Sequence, residues 1–187
     1  MAPDEALAQQ AIAATQAWLT RAVIGLNLCP FAKSVHAKGQ IRYVVSGATQ
    51  ASGVAADLER EMRLLAGSDA EQIDTTLLIL PSALQDFNAY NDFLALADRS
   101  LKRLRLRGVL QVASFHPDYQ FADAGPDDIE NYTNRSPYPI LHLLREDSVA
   151  RAVDAYPDPA SIYVRNQEAL RRLGREGWQR IMAGEGE

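Results

Sequence analysis

Thr75-Thr76-Leu77-Leu78-Ile79-Leu80 reads as a strand with no wet face. A short, almost unbroken apolar run closed by Pro81 predicts burial on both sides, which requires helices above and below a sheet. Working outward, Ile41 to Val45 sets Ile41, Tyr43 and Val45 on one face and Arg42 on the other, the pattern of a half-exposed edge strand. Val109 to Phe115 predicts a third strand. About thirty residues with one helix separate successive strands, a length that suits crossovers and not hairpins, so parallel pairing is expected.

The intervening helices follow from apolar spacing. Val54, Leu58, Met62 and Leu65 make one stripe, with Ser52 as the expected cap. Phe93, Leu94, Ala97, Leu101 and Leu104 make a second, in a helix expected to open at Pro81-Ser82 and close at Gly108. The N-terminal stretch from Glu5 to about Leu26 is also helical in period, ending at Gly25, Asn27 and Pro30. Toward the C-terminus, helices are expected over about Pro139–Ala155 and Ala160–Ala183, divided by Tyr156-Pro157-Asp158-Pro159. The predicted fold is thus a single α/β domain over 1–187, a three-stranded mainly parallel βαβαβ core with flanking N- and C-terminal helices. Residues 1–4 and 184–187 are expected to fray.

The 187 residues, 47% apolar and 23% charged, are ordinary for one soluble domain. A net charge of −5 argues against a nucleic-acid partner, which needs a basic face. No run approaches a membrane span and the N-terminus does not read as a secretory signal, so the expected location is the cytoplasm, away from membranes. The single cysteine, Cys29, allows no internal disulfide.

Candidate chemistry concentrates between Phe115 and Glu146, which holds two of the three histidines. His116 follows the third strand, and open α/β sheets bind ligands beyond the carboxyl ends of their strands. Asn134-Arg135-Ser136-Pro137-Tyr138-Pro139 resembles a helix start, with Ser136 as cap and Pro137 first in the helix. Free N–H groups there, beside the Arg135 guanidinium, would hold a carboxylate or phosphate, with Asn134, Tyr138 and Lys33 contributing to the pocket. Ordinary capping beside a surface arginine is the competing account. His142 and Glu146 share a helix face if that helix forms; with His116 they would supply the two histidines and one carboxylate of a mononuclear iron site, Asp118 being a substitute. A surface hydrogen-bonded pair is the plainer alternative. Cys29 would act as a nucleophile with His116 or His142 as base, would ligate haem through its Cys-Pro dipeptide, or is simply buried filler.

Gly25-Leu-Asn-Leu-Cys-Pro-Phe-Ala-Lys33, Gln111-Val-Ala-Ser-Phe-His-Pro-Asp-Tyr-Gln-Phe121, Thr133-Asn-Arg-Ser-Pro-Tyr-Pro139 and Leu141-His-Leu-Leu-Arg-Glu146 are together distinctive. In these motifs the chain closely resembles the bacterial family catalogued as domain of unknown function 1415, over about Trp18 to Trp178. The resemblance implies no substrate, cofactor or catalytic residue. The functional expectation therefore comes from the residues: an enzyme acting on an anionic small molecule with His116 and His142 as acid-base groups and Cys29 beside them. The alternatives are a metal-dependent oxygenase or hydrolase, and a module that binds a metabolite or partner without catalysis.

Overall fold

The computed structural model describes residues 3–185. Four strands form one sheet: β1 (Ile41–Val45), β2 (Thr75–Ile79), β3 (Leu110–Phe115) and β4 (Ile140–Arg145). Their spatial order is β1-β2-β4-β3. Only β1 and β2 pair in parallel; β4 runs antiparallel to both β2 and β3. The α/β class is as expected, but the three-stranded parallel core is corrected to a four-stranded mixed sheet. β2 and β3 do point the same way, yet a strand absent from the sequence reading lies between them.

That strand is Ile-Leu-His-Leu-Leu-Arg, which replaces the first part of the helix expected from Pro139. Ile140, His142 and Leu144 face one side and Leu141 and Leu143 the other, as befits a central strand covered on both faces. The helix starts only afterwards, as α5 (Glu146–Asp154). Ser136 therefore caps nothing: its hydroxyl donates to the Tyr138 carbonyl at 2.6 Å.

Before the sheet come α1 (Glu5–Trp18), a π-helical turn over Leu19–Ile24, and α2 (Ala32–Ala37). The expected fraying of 1–4 does not extend to Asp4, whose carboxylate accepts the Leu7 N–H at 3.0 Å and caps α1; Met1, Ala2, Gly186 and Glu187 lie outside the described residues. Between the strands lie α3 (Ala51–Gly67) and α4 (Phe87–Arg103), and α6 (Ser161–Ala183) closes the chain. Ser52 sits inside α3 after Gln50, and α4 begins at Phe87 under an Asp86 cap that accepts the Ala89 N–H at 2.9 Å. Gly108, at φ 79, turns the chain from α4 into β3.

Each sheet face has its own core. Leu78, Leu141 and Leu143 pack under Val54, Leu58, Met62 and Leu65 of α3 and under Tyr90, Phe93 and Ala97 of α4. Acidic residues buried on α3 are matched: Glu61 pairs with Arg42 of β1 at 2.8 Å, Glu59 accepts Ser100 at 2.8 Å and pairs with Arg103, and Asp57 accepts Ser46 at 2.6 Å. The other face meets Trp18, Leu19 and Val23 from the N-terminal segment, with Leu170 and Trp178 of α6 in the same cluster.

One group on the first face is unmatched. Thr76 is fully buried in β2 and its hydroxyl has no hydrogen-bond partner. Valine has nearly the same shape without the stranded oxygen, so Thr76→Val is expected to raise stability by about 1 kcal/mol. Urea unfolding checks this, and a loss of stability would mean that the hydroxyl has a partner in solution.

Candidate functional site

The second face of the sheet carries three cross-strand rows. Val45, Ile79, Ile140 and Phe115 form the row at the carboxyl ends of β1 to β3. Trp18, Leu28 and their neighbours cover it, with the Trp18 ring edge-on to Phe115 at 5.2 Å. The next rows, Tyr43-Leu77-His142-Ala113 and Ile41-Thr75-Leu144-Gln111, are less completely covered. Over them opens a cavity of about 750 Å³. Its walls come from the π-helical turn, the segment from Cys29 to Lys38, and α5 with Tyr156 beyond it. Phe31 and Tyr156 meet edge-on at 5.8 Å, linking the second and third of these walls.

His142 stands on the floor of this cavity. Its Nε2 lies 2.6 Å from the Thr75 hydroxyl, and that hydroxyl lies 2.6 Å from the Leu143 carbonyl. The carbonyl can only accept, so the single hydroxyl proton goes there and Nε2 must carry the proton that reaches Thr75. Nδ1 is thereby left as a bare lone pair, with no protein partner among the described residues. Burial pushes the His142 pKa down to about 4, so the ring is neutral near pH 7.

Cys29 lines the same cavity, at its Phe31 wall. Burial raises its thiol pKa, against the opposing pull of the Phe31 and Ala32 backbone, so it is not activated as a nucleophile. His116 does not join them. It is 0% exposed and lies under the opposite face, its ring 5.3 Å from Phe87 and 5.1 Å from Tyr90 of α4. Its Nδ1 accepts the Asp118 N–H at 3.0 Å, so Nε2 donates to the Leu84 carbonyl at 3.2 Å. Both nitrogens hold the His-Pro-Asp turn in place, and burial lowers the pKa of the ring.

The polar residues between His116 and Pro139 are likewise occupied, within that segment, by β3 or by α6. Arg135 donates to the carbonyls of Tyr119 at 3.2 Å and Pro126 at 2.9 Å, and its guanidinium stacks 4.6 Å over Tyr132. Asn134 donates to the Ser114 carbonyl at 3.0 Å. Tyr138 packs into the second core, while Lys33 is exposed on α2. Glu146 lines a separate hollow of about 290 Å³ with Leu94, Asp98 and Arg107. His116, His142 and Glu146 thus stand apart, and no cluster of three His, Cys, Asp or Glu side chains suited to a metal occurs among the described residues.

A family model described as "Protein of unknown function (DUF1415)" matches residues 10–180. The chain belongs to the DUF1415 family. No curated protein and no solved structure matches it. The matched span contains all four strands and every residue of the cavity lining, so the cavity belongs to the DUF1415 portion of the chain. Among the described residues, no helix of this DUF1415 protein is long and apolar enough to cross a membrane.

Sequence reasoning missed Thr75, Gln111 and Ala113 as site residues. The signal was present for two of them: Gln111, Ala113 and Phe115 alternate along β3, and a glutamine and an alanine in step with a buried phenylalanine mark a face that is not fully packed.

Proposed function

We propose that this DUF1415 protein binds a small organic molecule in the cavity beneath α5, against the floor formed by β2, β4 and β3. One observation carries the reading: His142, whose Nδ1 has no protein partner among the described residues, lines a largely apolar space that the chain's own side chains do not fill. Pockets of a few hundred Å³ with apolar walls and few placed polar groups are the usual form of small-molecule sites. Trp18, Phe31, Leu77 and Phe115 supply the apolar contact, and His142 supplies direction.

Binding is favoured over turnover by the state of the reactive groups. An imidazole with a pKa of about 4 is a weak base at neutral pH, well below the range in which histidine serves best in acid-base catalysis. The Cys29 thiol is held protonated. The reading does not lean on Arg135, whose donors are committed to loop carbonyls.

Ala113 sits directly opposite His142 in the ladder, so Ala113→Phe directs a ring into the cavity from the floor. Ligand-observed NMR with a fragment library should give wild-type hits that compete with one another and disappear in Ala113→Phe. Hits that persist unchanged in a folded variant would place the ligand elsewhere and sink the proposal.

A further inference from the structure

The chemistry of the ligand can be read from the floor of the cavity, given that the cavity is the ligand site. Two side chains of the lining there have hydrogen-bonding capacity that no described residue uses; the buried Tyr43 hydroxyl also lacks a partner but does not line the cavity. His142 is the first: with Nε2–H committed to Thr75, Nδ1 accepts and cannot donate. Gln111 is the second. It lies on β3 opposite Leu144, two residues along β4 from His142, which makes Gln111 and His142 diagonal neighbours on adjacent strands, about 7 Å apart. Alternation with Ala113 and Phe115 turns its side chain to the same face, although Gln111 also contributes to the lining of the smaller hollow. Its carboxamide carries one acceptor and two donors.

The surroundings of this pair are apolar and sterically open. Leu77, Leu144 and Phe115 border it, and the small Ala113 side chain leaves room above it. No cation on the floor is free to neutralise an anion: Arg145 reaches the lining, but its donors go to the Leu65, Ser68 and Ile73 carbonyls. Lys38 and Arg151 are exposed residues of the lining.

We infer that the cavity takes an uncharged ligand with an N–H donor beside a carbonyl acceptor on an apolar body, as in a lactam or cyclic amide, its N–H meeting His142 Nδ1 and its carbonyl meeting the Gln111 amide. A carboxylate or phosphate would bring acceptors against an acceptor and lose its hydration with no counter-charge on the floor. The expected ligand therefore differs from the anion suggested by Arg135 in the sequence.

The test uses the full chain at pH 7.5 and four probes of similar size: quinolin-2(1H)-one, its N-methyl derivative, naphthalene and 2-naphthoate, each titrated by NMR. The lactam should bind about tenfold or more tightly than the N-methyl derivative, because methylation leaves Nδ1 unpartnered. It should also exceed 2-naphthoate. In His142→Phe the preference for the lactam over its N-methyl derivative should collapse, and in Gln111→Leu both should weaken about equally, while naphthalene still binds both variants, which reports that the cavity is intact. Equal binding of lactam and N-methyl derivative to the wild type, tightest binding of 2-naphthoate, a preference that survives His142→Phe, or lactam affinity unchanged in Gln111→Leu overturns this inference and leaves the cavity reading standing. Failure of all four probes to bind the wild type removes both.

Discussion

Replacing Arg145 by methionine is expected to lower stability by about 4 kcal/mol, with a fall in melting temperature on the order of 10 °C. Arg145 ends β4 and sends its guanidinium across to the carbonyls of Leu65 at 2.8 Å, Ser68 at 2.7 Å and Ile73 at 2.9 Å. Leu65 belongs to the last turn of α3, where carbonyls lack helical partners. One side chain thus satisfies the end of α3 and the connection into β2. Methionine preserves the apolar stem but leaves the Ser68 and Ile73 carbonyls unmet and the Leu65 carbonyl with the Ser68 N–H alone at 3.2 Å; each unmet acceptor costs on the order of 1–3 kcal/mol, offset in part by release of a desolvated charge. Arg145→Lys should recover less than half, because a point ammonium does not reproduce the planar fork. Urea unfolding of the three proteins provides the measurement. A loss below about 1 kcal/mol for methionine would mean that these carbonyls are hydrated and that the account is wrong.

Acidification from pH 7 to pH 4 is expected to remove roughly 3 kcal/mol through His142 alone. Its pKa falls from 6.5 to about 4 on folding, because burial disfavours the imidazolium. A depressed folded pKa means that the unfolded chain binds the proton first as pH drops. The stability is therefore fully present above pH 6.5 and is lost progressively as pH falls toward 4. Water in the cavity would solvate the Nδ1 edge, which makes the figure an upper bound. Burial also lowers the His116 pKa, so that ring adds a loss of the same sign in the same direction of pH. Asp57 has a lowered pKa as well, through its Ser46 and Arg60 hydrogen bonds working against burial; its contribution is lost below the ordinary carboxylate range. Comparing wild type with His142→Phe isolates the first term: the pH dependence of unfolding free energy between 7 and 4 should shrink by roughly 3 kcal/mol in the variant. Identical pH profiles for the two proteins would contradict the argument. The arriving proton would occupy Nδ1, so the same range should also abolish binding of any ligand that donates to that atom.

The first three strands were legible because their patterns are unambiguous. Ile41–Val45 alternates, Thr75–Ile79 is closed by Pro81, and Leu110–Phe115 follows a helix that ends at Arg103, short of the Gly108 expected to close it, with Gly108 in the turn between them. β4 was not legible for a physical reason: its apolar run is short and uninterrupted by a clear period, and such a run suits a buried strand as well as a helix flank. The misreading carried the site with it. On a helix, His142 would have faced Glu146; on a strand, the two occupy different hollows. The segment between His116 and Pro139 drew the candidate site by its polar residues, but those side chains are occupied by loop carbonyls and N–H groups, by the Ser114 carbonyl and by Arg171 and Arg175 of α6. A long irregular segment must satisfy its backbone somehow, and Asn131, Asn134 and Arg135 do so here.

The placement of β4 between β2 and β3 also sets the order of assembly during synthesis. A nascent chain that has emerged through Phe115 already holds three strands, yet only β1 and β2 can pair in their native arrangement. β3 must wait as an unpaired edge until Ile140–Arg145 leaves the ribosome, and the sheet then closes from both sides onto the last strand made. Truncations ending before residue 140 should therefore yield aggregation-prone chains rather than a smaller version of the domain.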